Sequence, residues 1–266
     1  MTSTRLTKEL INDATPMRLI LRVTPQSLSA LIVGPESIDP TVIAHSEELP
    51  DASVKALENA VYDNPLLLSD FDAIDIIFAT REFFLFPESA ADLLDDMAAA
   101  MLPDIASPRE TLMQQIPGPN PAVGFAVDAD RLNFLRRTFS CARFHHSLAV
   151  ASSRLIGHAA GFYALGNAPG DMMLLSVNPD STLRYLNAPE AFGANDCAYH
   201  ILAAADTGEP ITLMCADPEL QAAITDIITK VKPSSNILAP ELPEALLNLR
   251  RMAPETAFDA LFLTSL

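Results

Sequence analysis

The order of the predicted secondary-structure elements repeats along the chain, and this repeat constrains the fold more than any single motif. Residues 17–24 alternate in side-chain direction with a period of two, which predicts a β-strand. Two more strands, a helix, a strand and a helix follow. The same order restarts roughly 144 residues later, where residue 161 takes the place of residue 17. The strands of the two predicted meanders are 17–24, 27–33 and 41–45, and 161–167, 171–177 and 182–187. The sequence therefore predicts two similar α/β halves.

The length and composition of the chain are sufficient for two cores. The chain has 266 residues, of which 49% are hydrophobic and 19% are charged, and a typical domain has roughly 150 residues. We predict a first half over residues 1–160 and a second half over residues 161–266. Residues 103–121 contain five prolines. Because proline interrupts both helices and strands, we predict a long irregular surface connection there, inside the first half.

The charge balance excludes several classes of partner. Lysine and arginine total 17 against 34 aspartates and glutamates, a formal net charge of -17, so we predict no nucleic acid partner and no membrane partner. Residues 1–12 lack the apolar stretch of a signal peptide. Three widely spaced cysteines, Cys141, Cys197 and Cys215, provide neither a disulfide framework nor a paired-cysteine zinc site. We expect a cytoplasmic protein.

Local signals place individual elements. The apolar run at residues 71–80 predicts a strand that is covered on both faces. Asp128 is the predicted N-cap of one helix. Asp217 is the predicted N-cap of another, which has Pro218 at its first position. The sequence also predicts a helix that begins at Pro50-Asp51 and helices at residues 242–251 and 256–263.

A duplicated β-β-β-α-β-α-β-α unit resembles the actin-like ATPase fold, in which two ribonuclease-H-like halves face each other across a nucleotide cleft. Residues 122–146 also resemble part of an uncharacterised bacterial family of similar length with a degenerate actin-like fold. The similarity covers a strand, a helix that ends in a basic pair and Thr-Phe, and a strand that ends in Phe144, His145 and His146. The resemblance implies mixed sheets with helices on both faces. It implies no activity, because that family has none assigned.

The fold that the resemblance implies directs attention to the first hairpin turn of each half, where actin-like ATPases present an aspartate and glycines to phosphates and metal. The first turn contains Thr24 and Gln26, with a proline between them and neither aspartate nor glycine. The second runs from Asn167 to Gly170 and has no carboxylate. The glycine pair expected after the fourth strand of the second half is missing from residues 213–218. These four turn residues are candidate cleft-lining residues, and we predict no cofactor, no metal and no catalytic residue.

Other chemical constellations have simpler structural interpretations. Cys197 and His200 lie three residues apart on a predicted helix and could pair as nucleophile and base. His145 and His146 point to opposite faces of a strand, so they do not form a metal site with Cys141 and His158. The acidic pairs among Asp70, Asp72 and Asp75 are predicted as solvated edges or caps. The basic cluster is predicted as a solvated face paired with acids and consists of Arg131, Arg136, Arg137 and Arg143.

These observations give three hypotheses for function. The leading one is a non-catalytic actin-like protein that binds an unknown protein partner or a small ligand, with two halves whose relative closure the bound molecule could modulate. The alternative is a divergent ATP-binding enzyme of the actin-like superfamily. The third is a thiol-based enzyme that uses Cys197 and His200.

Overall fold

A computed structural model describes residues 17–34, 42–102, 108–157, 159–168, 171–215 and 217–238. The helices predicted at residues 242–251 and 256–263 lie outside these ranges. The strands are β1 Arg18–Val23, β2 Ser27–Val33, β3 Val42–Glu48, β4 Ala73–Phe78, β5 Phe83–Phe86, β6 Arg109–Gln115, β7 Ala122–Asp128, β8 Arg143–His146, β9 Gly161–Ala168, β10 Asp171–Val177, β11 Leu183–Asn187, β12 Ile211–Cys215 and β13 Ile237–Leu238. The helices are α1 Val54–Tyr62, α2 Leu94–Met101, α3 Ala129–Thr138, α4 Ser147–Leu155, α5 Ala194–Ala204 and α6 Pro218–Val231, with 3-10 helices at Pro65–Leu68 and Glu88–Leu93.

Two five-stranded mixed sheets have equivalent strand orders. The first sheet has the order β3-β2-β1-β4-β8, and the second has the order β11-β10-β9-β12-β13. Each sheet contains an antiparallel three-strand meander. The first strand of the meander, β1 or β9, also pairs in parallel with a strand from later in the chain, β4 or β12. The predicted α/β fold with mixed sheets is confirmed, whereas the boundary near residue 160 remains a prediction.

The helix boundaries follow from capping side chains. The side-chain oxygens of Asp128 and Asp217 accept hydrogen bonds from the backbone N–H groups of Arg131 and Glu219, at 3.0 and 2.8 Å, so both predicted N-caps are confirmed. Helix α1 begins three residues later than the Pro50-Asp51 start that the sequence suggested. Its N-cap is Ser53, whose hydroxyl accepts the N–H of Ala56.

A third, three-stranded sheet with the order β5-β7-β6 is inserted between β4 and β8. Its strand β6 lies inside residues 103–121, so the prediction of an irregular connection there was wrong. The prolines stand at the two ends of that segment, and residues 109–116 between them contain none. These residues can therefore pair with β7 through regular antiparallel hydrogen bonds. Gly124 permits this sheet to pack closely, because a Cβ there would lie 2.5 Å from the ring of Phe84.

One continuous apolar core reaches from the first sheet to the second. It contains Leu19 and Leu21 of β1, Phe125 of β7, and Leu165 of β9 and Leu175 of β10, all almost fully buried. Helix α4 contributes to this core and contacts β7, β8 and β10. A separate core lies between the second sheet and helices α5 and α6. The two halves therefore share buried apolar surface in addition to the connection through α4.

Candidate functional site

The turn between β1 and β2 contains Thr24 and Gln26, two of the four predicted cleft-lining residues. The hydroxyl oxygen of Thr24 accepts the backbone N–H groups of Gln26 and Ser27, at 3.1 and 2.8 Å. The N–H of Thr24 donates to the carbonyl of Ser27 at 3.0 Å. Pro25 has no N–H. Every backbone donor of residues 24–27 is therefore engaged within the turn or absent.

A buried arginine also bonds to this turn. The Nη2 of Arg131, at the start of α3, donates to the carbonyl of Thr24 at 2.9 Å. Arg131 is 6% exposed, which corrects its assignment to a solvated basic face. Burial lowers the pKa of Arg131, and the nearby charge of Asp128 opposes that shift. The side chain holds the turn against the inserted sheet through helix α3.

The other predicted cleft residues are only partly within the described structure. Gln26 is exposed, and its carbonyl accepts the N–H of Leu49 at 2.8 Å. Asn167 belongs to strand β9. Its side chain and the whole of Gly170 lie outside the described residues.

A buried carboxylate organises the first sheet. Asp75 of β4 is fully buried, so the prediction that it is part of a solvated edge or a cap was wrong. It accepts bonds from Arg18 at 2.6 Å, from Arg143 at 3.0 Å and from His145 at 2.8 Å. Burial alone would raise the pKa of Asp75, but these donors outweigh it and hold the pKa well below its usual range.

The paired histidines are both engaged in hydrogen bonds. The Nδ1 of His146 accepts the backbone N–H of Leu148, and its Nε2 donates to the carbonyl of Thr80 at 2.9 Å. His146 thus caps helix α4 in its neutral form, and burial lowers its pKa to about 4. The Nε2 of His145 bonds to Asp75, and its Nδ1 contacts the side-chain amide of Gln114 at 3.3 Å. Neither ring is free to bind metal or to transfer a proton.

The remaining constellations are a possible metal cluster and the Cys197–His200 pair. Among the described residues, no three histidine, cysteine, aspartate or glutamate side chains converge on a possible metal position. His158 lies outside those residues. Cys197 is 2% exposed, and burial together with the charge of Asp196 raises the pKa of its thiol. A thiol nucleophile needs the opposite shift, which argues against a Cys197–His200 pair.

Sequence inspection missed three side chains that hold the fold together at this site. Gln114 bridges the paired histidines, because its amide oxygen also accepts the N–H of His146 at 2.8 Å. Asn120 and Arg81 contact the second half of the chain. Each of these bonds joins residues more than thirty positions apart, and no local pattern indicates such pairs.

Comparison with known proteins identifies a family and a fold. A family model described as "Protein of unknown function (DUF3822)" matches residues 8–208. No curated protein matches the chain. In the part of the chain that the structure describes, no helix is both long and apolar enough to cross a membrane.

Several solved structures resemble this one. A protein of Bacteroides thetaiotaomicron, with an actin-like ATPase fold and unknown function, aligns with a TM-score of 0.70 and 15% identity over 96% of this chain and 99% of that one. The ethanolamine utilization protein EutJ from Carboxydothermus hydrogenoformans aligns with a TM-score of 0.45 and 7% identity, over 96% and 89% of the two chains. AlfA from a Bacillus subtilis plasmid, solved as a filament, has a TM-score of 0.43 and 9% identity over 86% and 93%. The first of these confirms the predicted fold, and the other two score too low to add to it.

Proposed function

The chain belongs to the DUF3822 family of proteins of unknown function, and we propose that it is a non-catalytic actin-like protein that works by binding a protein partner or a small ligand without a nucleotide. The observation that carries this proposal is the β1–β2 turn. Phosphate recognition in such turns depends on free backbone N–H groups and on cations close to them. Here Thr24 engages the N–H groups of its own turn.

The interior of the first half supports a role without catalysis. General acids and bases must have a free proton-accepting or proton-donating position near the substrate. Both ring nitrogens of His145 and of His146 already have partners. The carboxylate of Asp75 is neutralised by two arginines. Among the described residues, these groups act as structural links between strands.

Nucleotide binding can be tested by thermal unfolding in the presence of magnesium and ATP. A ligand at about 100 times its Kd stabilises a protein by about 2.7 kcal/mol, which for a chain of this size raises the Tm by about 5 °C or more. We expect no measurable shift at about 1 mM Mg-ATP, a concentration that would reveal any Kd of about 10 μM. Isothermal titration calorimetry on the same sample should show no magnesium-dependent heat.

A shift of that size, abolished by Gln26→Ala or Asn167→Ala, would overturn the proposal in favour of a divergent ATP-binding enzyme.

A second test concerns the hydroxyl of Thr24. The variant Thr24→Ala releases the two N–H groups of the turn, and the matched control Thr24→Ser keeps the hydroxyl that accepts them. If Thr24→Ala gains ATP binding and Thr24→Ser does not, the hydroxyl of Thr24 is what blocks the turn.

A further inference from the structure

Strand β11 lies at the edge of the second sheet, and residues of the first half hold it at both ends. These residues flank the inserted third sheet. Arg81 comes two residues before β5, and Asn120 comes two residues before β7. Since β5 and β7 are antiparallel, Arg81 and Asn120 stand at opposite ends of the inserted sheet.

The first tie is at the start of β11. The Oδ1 of Asn120 accepts the backbone N–H of Leu183 at 2.7 Å, and its Nδ2 donates to the carbonyl of Ser181 at 3.2 Å. The same Nδ2 is oriented by a 2.6 Å bond to the carbonyl of Pro117. Asn120 is 6% exposed, so water does not readily replace these bonds if they break.

The second tie lies just beyond the other end of β11. The Nη1 of Arg81 contacts the carboxylate of Glu190 at 2.7 Å. Both side chains are more than 40% exposed, so this ion pair adds less than the buried amide does. Its importance lies in its position, because it holds the end of β11 that Asn120 does not reach.

Apolar side chains of β11 and of the inserted sheet also belong to one buried cluster. Leu186 of β11 belongs to the same buried cluster as Val123 and Phe125 of the inserted sheet, and Leu85 packs against that cluster. A hinge rotation of the second half about helix α4 would have to separate this packing and break the bonds at one end of β11 at least.

We infer that the inserted sheet locks the two halves in one relative orientation, with Asn120 as the principal lock. The orientation is set by the chain itself, so the surface that meets a partner is formed before any ligand arrives. This replaces the closure of two halves around a bound molecule that the sequence suggested. The inference does not depend on whether ATP binds, since it concerns contacts between parts of the chain.

Spin-label distance measurements test the lock directly. Lys55 of α1 and Lys230 of α6 are more than 70% exposed and lie in different halves. Both are replaced by cysteine in a Cys141→Ser background, which removes the exposed native thiol. We expect one narrow distance distribution that is unchanged by about 1 mM Mg-ATP, the concentration used for the binding test. A broad or two-peaked distribution in this labelled chain would overturn the inference.

Variants at the ties complete the test. In N120A/E190Q the distribution should broaden to about twice its width or split, because rigid-body motion of the halves is released. The control N133A removes an exposed asparagine from α3 and should leave the distance distribution narrow. If N120A/E190Q does not fold, the variant N120D is used instead. It keeps the acceptor for the N–H of Leu183 and loses the donor to the carbonyl of Ser181, so it should broaden the distribution to a smaller degree. A distribution as narrow as that of the control in the folded variant would show that these ties are not the lock.

Discussion

Lowering the pH should destabilise this protein through His146. The imidazole is fully buried between the carbonyl of Thr80 and the N–H of Leu148, and it is held in the neutral form. Its pKa is about 4 in the folded chain, against 6.5 for the unperturbed group. The unfolded chain therefore binds more protons than the folded chain between these two values. The neutral form is favoured by folding, so the stability that it provides is complete above about pH 6.5 and declines as the pH falls towards 4.

The size of this effect follows from the two pKa values. Between about pH 7.5 and about pH 5, protonation of His146 in the unfolded state should lower the free energy of unfolding by about 2 kcal/mol. Urea titrations at several pH values measure this loss for the wild-type chain and for H146Q, which does not titrate. We expect the loss over this interval to be smaller in H146Q by about the same amount.

Other groups titrate over the same interval, so the difference between the two proteins is the informative quantity. The control variant H200Q removes a partly exposed imidazole from helix α5. It measures how removal of a partly exposed imidazole changes the dependence of the free energy of unfolding on pH. If wild type and H146Q lose stability in parallel, His146 is not buried in the neutral form, and the assignment of its hydrogen bonds is wrong.

Two further predictions concern the buried carboxylate and the thiols. Asp75→Asn should lower the free energy of unfolding at neutral pH by about 3 kcal/mol. This is the low end of the range for a broken buried ion pair, because one of the arginines that bind Asp75 is largely exposed. The control Asp70→Asn, at an exposed position, should change the free energy of unfolding little. Because the pKa of Asp75 is lowered in the folded chain, this difference should shrink below about pH 4 in urea titrations, and a constant difference would contradict the assignment. In a thiol titration of the folded chain, Cys141 should react at once, while Cys197 and Cys215 should react only after unfolding because both are buried. Rapid reaction of Cys197 in the native state would revive the thiol-enzyme hypothesis.

Much of the fold could be predicted because local patterns decide it. The period-two pattern of residues 17–24 and the apolar run at residues 71–80 correspond to β1 and β4, and the caps at Asp128 and Asp217 begin α3 and α6. Strand β6 was missed because the density of prolines over the whole segment outweighed the proline-free stretch within it. A strand needs only a few residues without proline, so the spacing of prolines was the more informative signal.

The candidate site was less predictable, because its bonds join distant positions. Asp75 could have been found, since a single carboxylate inside an apolar strand that is covered on both faces must have a charged partner. The identity of those partners depends on the register that sets Asp75 level with Arg143 of β8. That register arises from tertiary packing and not from the local sequence.

The blocked turn and the proposed lock have a joint consequence for how this fold could respond to a ligand. Closure driven by a nucleotide requires phosphate-binding donors and also two halves that are free to move. Freeing the donors by Thr24→Ala would restore only the first condition, because Asn120 would still bind Leu183. Releasing both ends of β11 by N120A/E190Q would allow motion that no phosphate could direct, because the turn would still engage its own N–H groups. Only Thr24→Ala combined with N120A/E190Q should therefore show a distance distribution that depends on Mg-ATP. A nucleotide-dependent change in Thr24→Ala alone or in N120A/E190Q alone would mean that the two features are not independent barriers.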